Sequence, residues 1–242
     1  MTPNEQNNPQ TNTNNNPNSL PEGWKWVKLG EVVKINPKIP KEKIVSDTML
    51  VQFLPMKLVE ELSGKIHLTE TRIYQEVRKG YSAFIENDIL FVKVTPCMEN
   101  GKIAVVTKLK NKIGFGSTEF HVLRTIPNVI NKYIFYFIVQ DKFRKLAEYS
   151  MTGAVGLRRV PKQFIEQQLL PLPPLPIQAA IVLKLEALFS ELDKGIANLK
   201  TAQAQLKLYK QAVLKWAFEG KLTNPQLAQQ TDNFNTLFEG WK

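Results

Sequence analysis

The stretch PLPPLPIQAAIVLKLEALFSELDKGIANLKTAQAQLKLYKQAVLKWAFEG (residues 171–220) decides the architecture. Four prolines within residues 171–176 exclude helix interior and central strand and favour a stiff extended segment. Pro176 suits the first turn of a following helix, where its missing N–H loses no partner. From there to about Glu219 no further proline occurs, and Gly195 is the single glycine. Leu185, Leu192, Leu199, Leu206 and Val213 recur at strict heptad spacing as position a. Leu188, Gly195, Ala202, Tyr209 and Trp216 then occupy d, and Phe189 and Ile196 at e widen the stripe. Roughly 44 helical residues span about 65 Å at ~1.5 Å per residue, and Gly220 fits the stop. One apolar seam on so long a helix calls for a partner helix, which makes Leu185, Leu188, Leu192, Leu199, Leu206, Tyr209, Val213 and Trp216 the dimerisation candidates. The alternative is a helix folded back on its own domain, but residues 20–170 are too short to flank about 65 Å.

Upstream, residues 20–170 read as an α+β domain. Trp24, Trp26, Val27, Leu29 and Val33 open it with a strand-like alternation. Leu50–Leu54, Asp88–Val94, Lys102–Thr107 and Thr118–Arg124 are further strands, each rich in β-branched or aromatic residues and bounded by Gly, Pro or Asn. Asn128 is the expected N-cap of one helix running to about Tyr149, apolar nearly all round and therefore buried. The fold class is thus an α+β domain (20–170) followed by one long C-terminal coiled-coil α-helix (171–222).

The flanks differ in composition. Residues 1–19 are almost wholly Asn, Gln, Pro and Thr, with Met1 the sole large apolar residue, so a disordered tail is expected. Residues 223–242 are polar again. Glu-Gly-Trp-Lys occurs at 22–25 and again at 239–242, which suggests one repeat unit ending where a second would begin.

Composition narrows the function. Among 242 residues, 32 Lys and Arg face 22 Asp and Glu, a net charge of +10. Residues 20–170 hold 24 basic against 15 acidic side chains, so the excess lies in the α+β domain. Such a balance favours polyanions, nucleic acid first. The single cysteine, Cys97, rules out an internal disulfide framework and a cysteine zinc finger, and two histidines cannot fill a three-histidine metal site. No apolar run of about 18 residues occurs and the N-terminus lacks a secretory pattern, so a cytoplasmic protein without a membrane span is expected.

Catalytic signatures are missing. There is no Asn/Asp-Pro-Pro-aromatic segment of an amino-methyltransferase, no GxxxxGK[ST] loop and no Pro-Asp partnered with Asp/Glu-x-Lys. Gly114-Phe-Gly116 lacks the rest of a nucleotide fingerprint. His121 reads as packed or hydrogen-bonded, and Cys97 as a structural thiol. The chain reads as a binder.

Basic groups cluster at Lys102/Lys108/Lys110/Lys112, Lys142/Arg144/Lys145, Arg158/Arg159/Lys162 and Arg72/Arg78/Lys79. In MTGAVGLRR (151–159), two glycines precede paired arginines; their exposed N–H groups could meet phosphate, or the segment is an ordinary turn. The DNA-contact candidates are Arg72, Arg78, Lys79, Lys93, Lys102, Lys112, Arg158 and Arg159, with Thr95, Asn100 and Ser117 as polar candidates.

NDILFVKVTPCMENGKIAVV (87–106), GFGSTEFHVLR (114–124), MTGAVGLRRVP (151–161), PLPPLPIQAAIVLKLEALFSELD (171–193) and LKWAFEGKLT (214–223), in that order, resemble the DNA-specificity subunit of type I restriction–modification systems. The resemblance implies a non-catalytic target-recognition domain with base readout in 36–80, and motif loops that build the domain or touch the DNA backbone. It implies double-stranded DNA, methyltransferase (modification) subunits and, where present, a restriction subunit as partners. No cofactor is expected in this chain: AdoMet belongs to the modification subunit, ATP and Mg to the restriction subunit. The family's typical subunit carries two recognition domains and two helices paired antiparallel. This chain has one of each, so a second copy or another half-subunit is expected to complete it, unless the half acts as a truncated competitor that sequesters modification subunits. Ile177-Gln178 stands where the family usually has Glu-Gln.

Overall fold

The computed structural model describes residues 20–44, 46–154 and 156–223. The Asn-rich tail and the second Glu-Gly-Trp-Lys lie outside the described residues. The chain forms two compact units, Met1–Leu183 and Lys184–Lys242.

In the first unit, β1 (Lys25–Lys28), one helical turn α1 (Leu29–Val32), β2 (Val33–Ile35), β3 (Leu50–Leu54), β4 (Glu70–Ile73) and the turn α2 (Tyr74–Val77) come first. β5 (Ser82–Ile85), β6 (Ile89–Val92), β7 (Ile103–Val105), β8 (Ile113–Gly116) and β9 (Phe120–Thr125) follow. The unit closes with α3 (Asn131–Ile138), α4 (Asp141–Tyr149), α5 (Lys162–Gln167), β10 (Leu169–Leu172) and the start of α6 (Leu175–Phe218). β2-β9-β6-β7 form an antiparallel sheet; β4-β3-β8-β5 form a second, with β3 and β8 parallel. β1 pairs with β10 alone.

The strand period explains the layering. In β6 all four residues are buried. Ile89 and Phe91 enter one core with Ile134, Ile138 and Phe143 of the helices; Leu90 and Val92 enter another with Leu54 and Phe84 of the second sheet. Successive side chains leave a strand on opposite faces, so ILFV is the signature of a middle layer. The second sheet turns Val51, Phe53, Ile113 and Phe115 to a third cluster capped by Tyr74 and Val77.

Gly114 and Gly116 belong to that packing. A Cβ on Gly114 would lie 2.1 Å from the Phe84 ring, and one on Gly116 2.5 Å from the Leu54 carbonyl. Bare backbone on β8 is what allows Phe84 and Phe120, both fully buried, to lie across it. Asp88, 1% exposed, accepts from Ile85 N (2.8 Å) and from Arg124 Nε and NH2 (2.7 and 2.8 Å), tying the β5–β6 turn to β9.

Three expectations need correction. The opening strand is interrupted: α1 sets Leu29 and Val32 inward at helical spacing, and Trp26 of β1 is 51% exposed. The long helix from Asn128 is two helices, with Gln140 extended (φ −58°, ψ 143°) between them. Continuing the Ile134–Ile138 face through one straight helix would carry Asp141 and Lys145 into the core. The break rephases the chain so that Phe143 and Ala147 are buried instead. Asn128 is no N-cap; it has φ +67°, and Ile130 holds that place without a side-chain cap. Strands β4, β5 and β8 are additional to the expected ones; β8 carries the two glycines of Gly114-Phe-Gly116.

The proline run behaves as its chemistry requires. Pro171 lies in β10, in a two-stranded ribbon where a missing donor is tolerated. Pro176 is in the first turn of α6. At the far end Gly220 (φ +74°) closes a Schellman motif, with Gly220 N on Ala217 O (3.2 Å) and Lys221 N on Trp216 O (3.0 Å).

Candidate nucleic-acid interface and helical seam

Two backbone bridges, Val94 to Arg159 and Thr152 to Arg159, bring residues 93–95 against 158–160. Thr95 N donates to Arg158 O (3.1 Å) and Val160 N to Lys93 O (2.9 Å). Lys93 Nζ donates to Thr118 O (2.8 Å), and Ser117 Oγ accepts from Glu119 N (3.2 Å). The fold thus gathers Lys93, Thr95, Ser117, Arg158 and Arg159 from three separate sequence motifs.

The two arginines stand beside carboxylates. Arg159 donates through Nε and NH2 to both Glu119 oxygens (2.8 and 2.7 Å), and this pairing holds the Glu119 carboxyl below its ordinary range. Arg158 NH2 stands 3.9 Å from both Glu99 and Glu148, too far for a hydrogen bond. Thr95 Oγ1 donates to Glu99 Oε1 (3.0 Å). Arg159 therefore has all three guanidinium nitrogens engaged, Nε and NH2 on Glu119 and NH1 on Leu157 O (3.3 Å), whereas Arg158 sits near two carboxylates without a hydrogen bond to either. In the segment 151–159, residues 152–154, 156 and 157 are exposed and Met151 is buried.

A second neighbourhood lies on β4, α2 and the turn after it. Arg72 on β4 stacks on Phe53, guanidinium carbon 3.5 Å from the ring centroid, with Tyr81 at 5.9 Å and Glu70 Oε2 at 3.5 Å. Arg78 NH1 donates to both Asp47 oxygens (3.3 and 3.2 Å), and Lys79 is exposed. Asn100 and Lys102 meet at Glu61: Asn100 Nδ2 donates to its carboxylate (2.9 Å) and Lys102 bridges its backbone. Lys112 is exposed in a separate turn with φ +56°.

His121 is 6% exposed; its Nε2–H donates to Val160 O (2.9 Å) and burial lowers its pKa. Among the described residues no group of three or more His, Cys, Asp or Glu could hold a metal. No described helix is long and apolar enough to cross a membrane.

Sequence reasoning missed the acidic neighbours Glu99, Glu119 and Glu148, because they meet Arg158 and Arg159 only through the tertiary fold, Glu119 across 40 residues. It also passed over Gln178. That amide is 1% exposed, accepts from Ile130 N (2.9 Å) and donates to Pro173 O (3.0 Å), pinning the first turn of α6. The pair Ile177-Gln178, standing where the family usually has Glu-Gln, was the available signal.

In the second unit the seam residues are uncovered: Leu188 is 45% exposed, Leu192 57%, Leu199 72%, Leu206 55% and Tyr209 46%. Leu185, Val213 and Trp216 are half-buried. Small Ala202 between Leu199 and Leu206 leaves a shallow, open dip on the helix surface with Ile196 on its rim.

Residues 21–201 match the family described as Type I restriction modification DNA specificity domain, and the chain belongs to that family. It is 34% identical over 240 residues to the EcoAI specificity subunit of Escherichia coli, covering 95% of this chain and 39% of that relative. It is 35% identical over 226 residues to the EcoEI specificity subunit, also of E. coli, covering 92% and 38%. Among solved structures it resembles the HsdS subunit from Thermoanaerobacter tengcongensis, with TM-score 0.63 and 25% identity over 78% of this chain and 47% of that one. A structure titled for complex assembly and conformational transition of the type I R-M system matches with TM-score 0.61. The chain thus spans about two fifths of the curated relatives it matches.

Proposed function

We propose that this chain is a DNA-reading half of a type I specificity subunit. Its α+β unit binds double-stranded DNA, and α6 pairs antiparallel with α6 of a second copy as a coiled coil. The pair directs methyltransferase subunits, and a restriction subunit where present, to a bipartite site. The chain carries no catalytic step of its own; AdoMet is bound by the modification subunit. A two-fold pair of identical readers binds inverted half-sites with a fixed gap. About 65 Å of helix corresponds to roughly two turns of duplex at ~34 Å each, which suits two readers on one face of the DNA.

The observation that carries this reading is the exposed seam, from Leu188 to Tyr209, on a 44-residue helix. For DNA contact the geometry favours Lys93, Thr95, Ser117 and Arg158 near one another, with Arg159 buttressing them; Arg72, Arg78 and Lys79 form the second contact group, and Asn100, Lys102 and Lys112 outer backbone contacts. N6-methyladenine mapping in cells carrying this gene and its modification partner tests it. A symmetric, interrupted motif is expected. An asymmetric motif would assign a different second half, and no methylation would refute the reading.

A further inference from the structure

We infer that Arg72 is a base-reading residue, one that takes the major-groove edge of guanine, while the other arginines of the unit serve charge or structure. The inference rests on the DNA-binding reading above and deepens it.

Four arginines were candidates, and their surroundings separate them. Arg159 already spends Nε and one terminal nitrogen on Glu119. Arg78 leans on Asp47 through NH1 alone, with 40% of its side chain exposed. Arg158 has only distant carboxylates at 3.9 Å. Arg72 differs: its guanidinium carbon sits over the ring of Phe53, itself 5% exposed, 3.5 Å from the centroid, and Tyr81 stands edge-on to Phe53 at 5.0 Å. Glu70 steadies one nitrogen at 3.5 Å, at the limit of a hydrogen bond.

The cause of this placement is register. Glu70 and Arg72 are two apart on β4 and share a face, and Phe53 pairs directly with Glu70 on β3. The guanidinium is therefore seated over a core ring. Its side chain is nonetheless 37% exposed, and β4 is an edge strand. A planar fork held before the ligand arrives loses little rotamer freedom on binding. Guanine offers O6 and N7 as paired acceptors matched to that fork. Exposed Arg78 and Lys79, six and seven residues on, supply the cations that would anchor the flanking backbone. A mere lid over Phe53 would need only the stem of the side chain.

The test selects bound sequences from a duplex library with a randomised core, using the full chain and the variants Arg72→Lys and Arg72→Ala. Thermal melting of each confirms folding. The wild type is expected to enrich a motif containing guanine at one position. Arg72→Lys keeps the cation and is expected to lose the guanine preference there by about tenfold or more, while other positions and the salt slope stay as they were. An unchanged motif in Arg72→Lys, or a uniform loss in Arg72→Ala with a shallower salt slope and no change of motif, overturns the assignment while leaving the DNA-binding reading intact. Absence of any motif in the wild type overturns both.

Discussion

The α+β unit and the long helix treat apolar surface in opposite ways. In the first unit, β6 buries every residue between two layers, and glycines on β8 let phenylalanine rings close over the backbone. From Lys184 on, the helix shows Leu188, Leu192, Leu199 and Leu206 to solvent, all more than 40% exposed. One region satisfies its own hydrophobic pattern. The other has a pattern as regular, yet among the described residues Leu188, Leu192, Leu199 and Leu206 stay exposed. Since exposed apolar surface is stabilised by about 25 cal/mol for each Å² removed from water, covering that stripe would stabilise the second region, as the proposed pairing requires.

The comparison can be broken at its tightest points first. Asp88→Ala removes the partner of half-buried Arg124 inside the first unit and is expected to destabilise it by about 3–5 kcal/mol, read as a lower urea midpoint with the association of the helix retained. Gly114→Ala forces a methyl group against the Phe84 ring and is expected to cost about 1–3 kcal/mol by overpacking, again without altering oligomeric mass. If either change dissolved the pair instead, the two regions would not be independent in energy.

A smaller effect sharpens the account of the interior. Burial lowers the pKa of His121 from its ordinary 6.5, so the folded state binds its proton less readily than the unfolded chain. Its contribution is complete above about pH 6.5 and is lost as pH falls toward the folded value, since the unfolded state then takes up more protons. Unfolding free energy should therefore rise with pH across that window. His121→Gln is expected to flatten this slope in denaturant titrations from acid to neutral pH; an unchanged slope would remove His121 as its source.

What the sequence made legible follows the range of the forces. The helix was readable because a heptad repeat and a proline start are local, and its range of Leu175–Phe218 lies one residue from the expected limits. Strands of β-branched residues, such as ILFV and FHVLRT, were equally visible. The break at Gln140 was not, since only the position of the sheet decides which face of the helical segment must turn inward. The Gly-Phe-Gly of β8 hid its strand because the reason for glycine there is a ring from β5. At the candidate interface the basic residues were legible, but their neutralising partners were not. Glu119 reaches Arg159, and Asp47 reaches Arg78, only through the tertiary fold.

The most direct trial of the central claim is the solution mass of the intact chain at micromolar concentration, by sedimentation equilibrium. A species near twice 27.7 kDa is expected, with Leu199→Glu reduced to a single copy while its α+β unit melts unchanged. A wild-type chain that stays at 27.7 kDa across that range, or a dimer indifferent to Leu199→Glu, would contradict it.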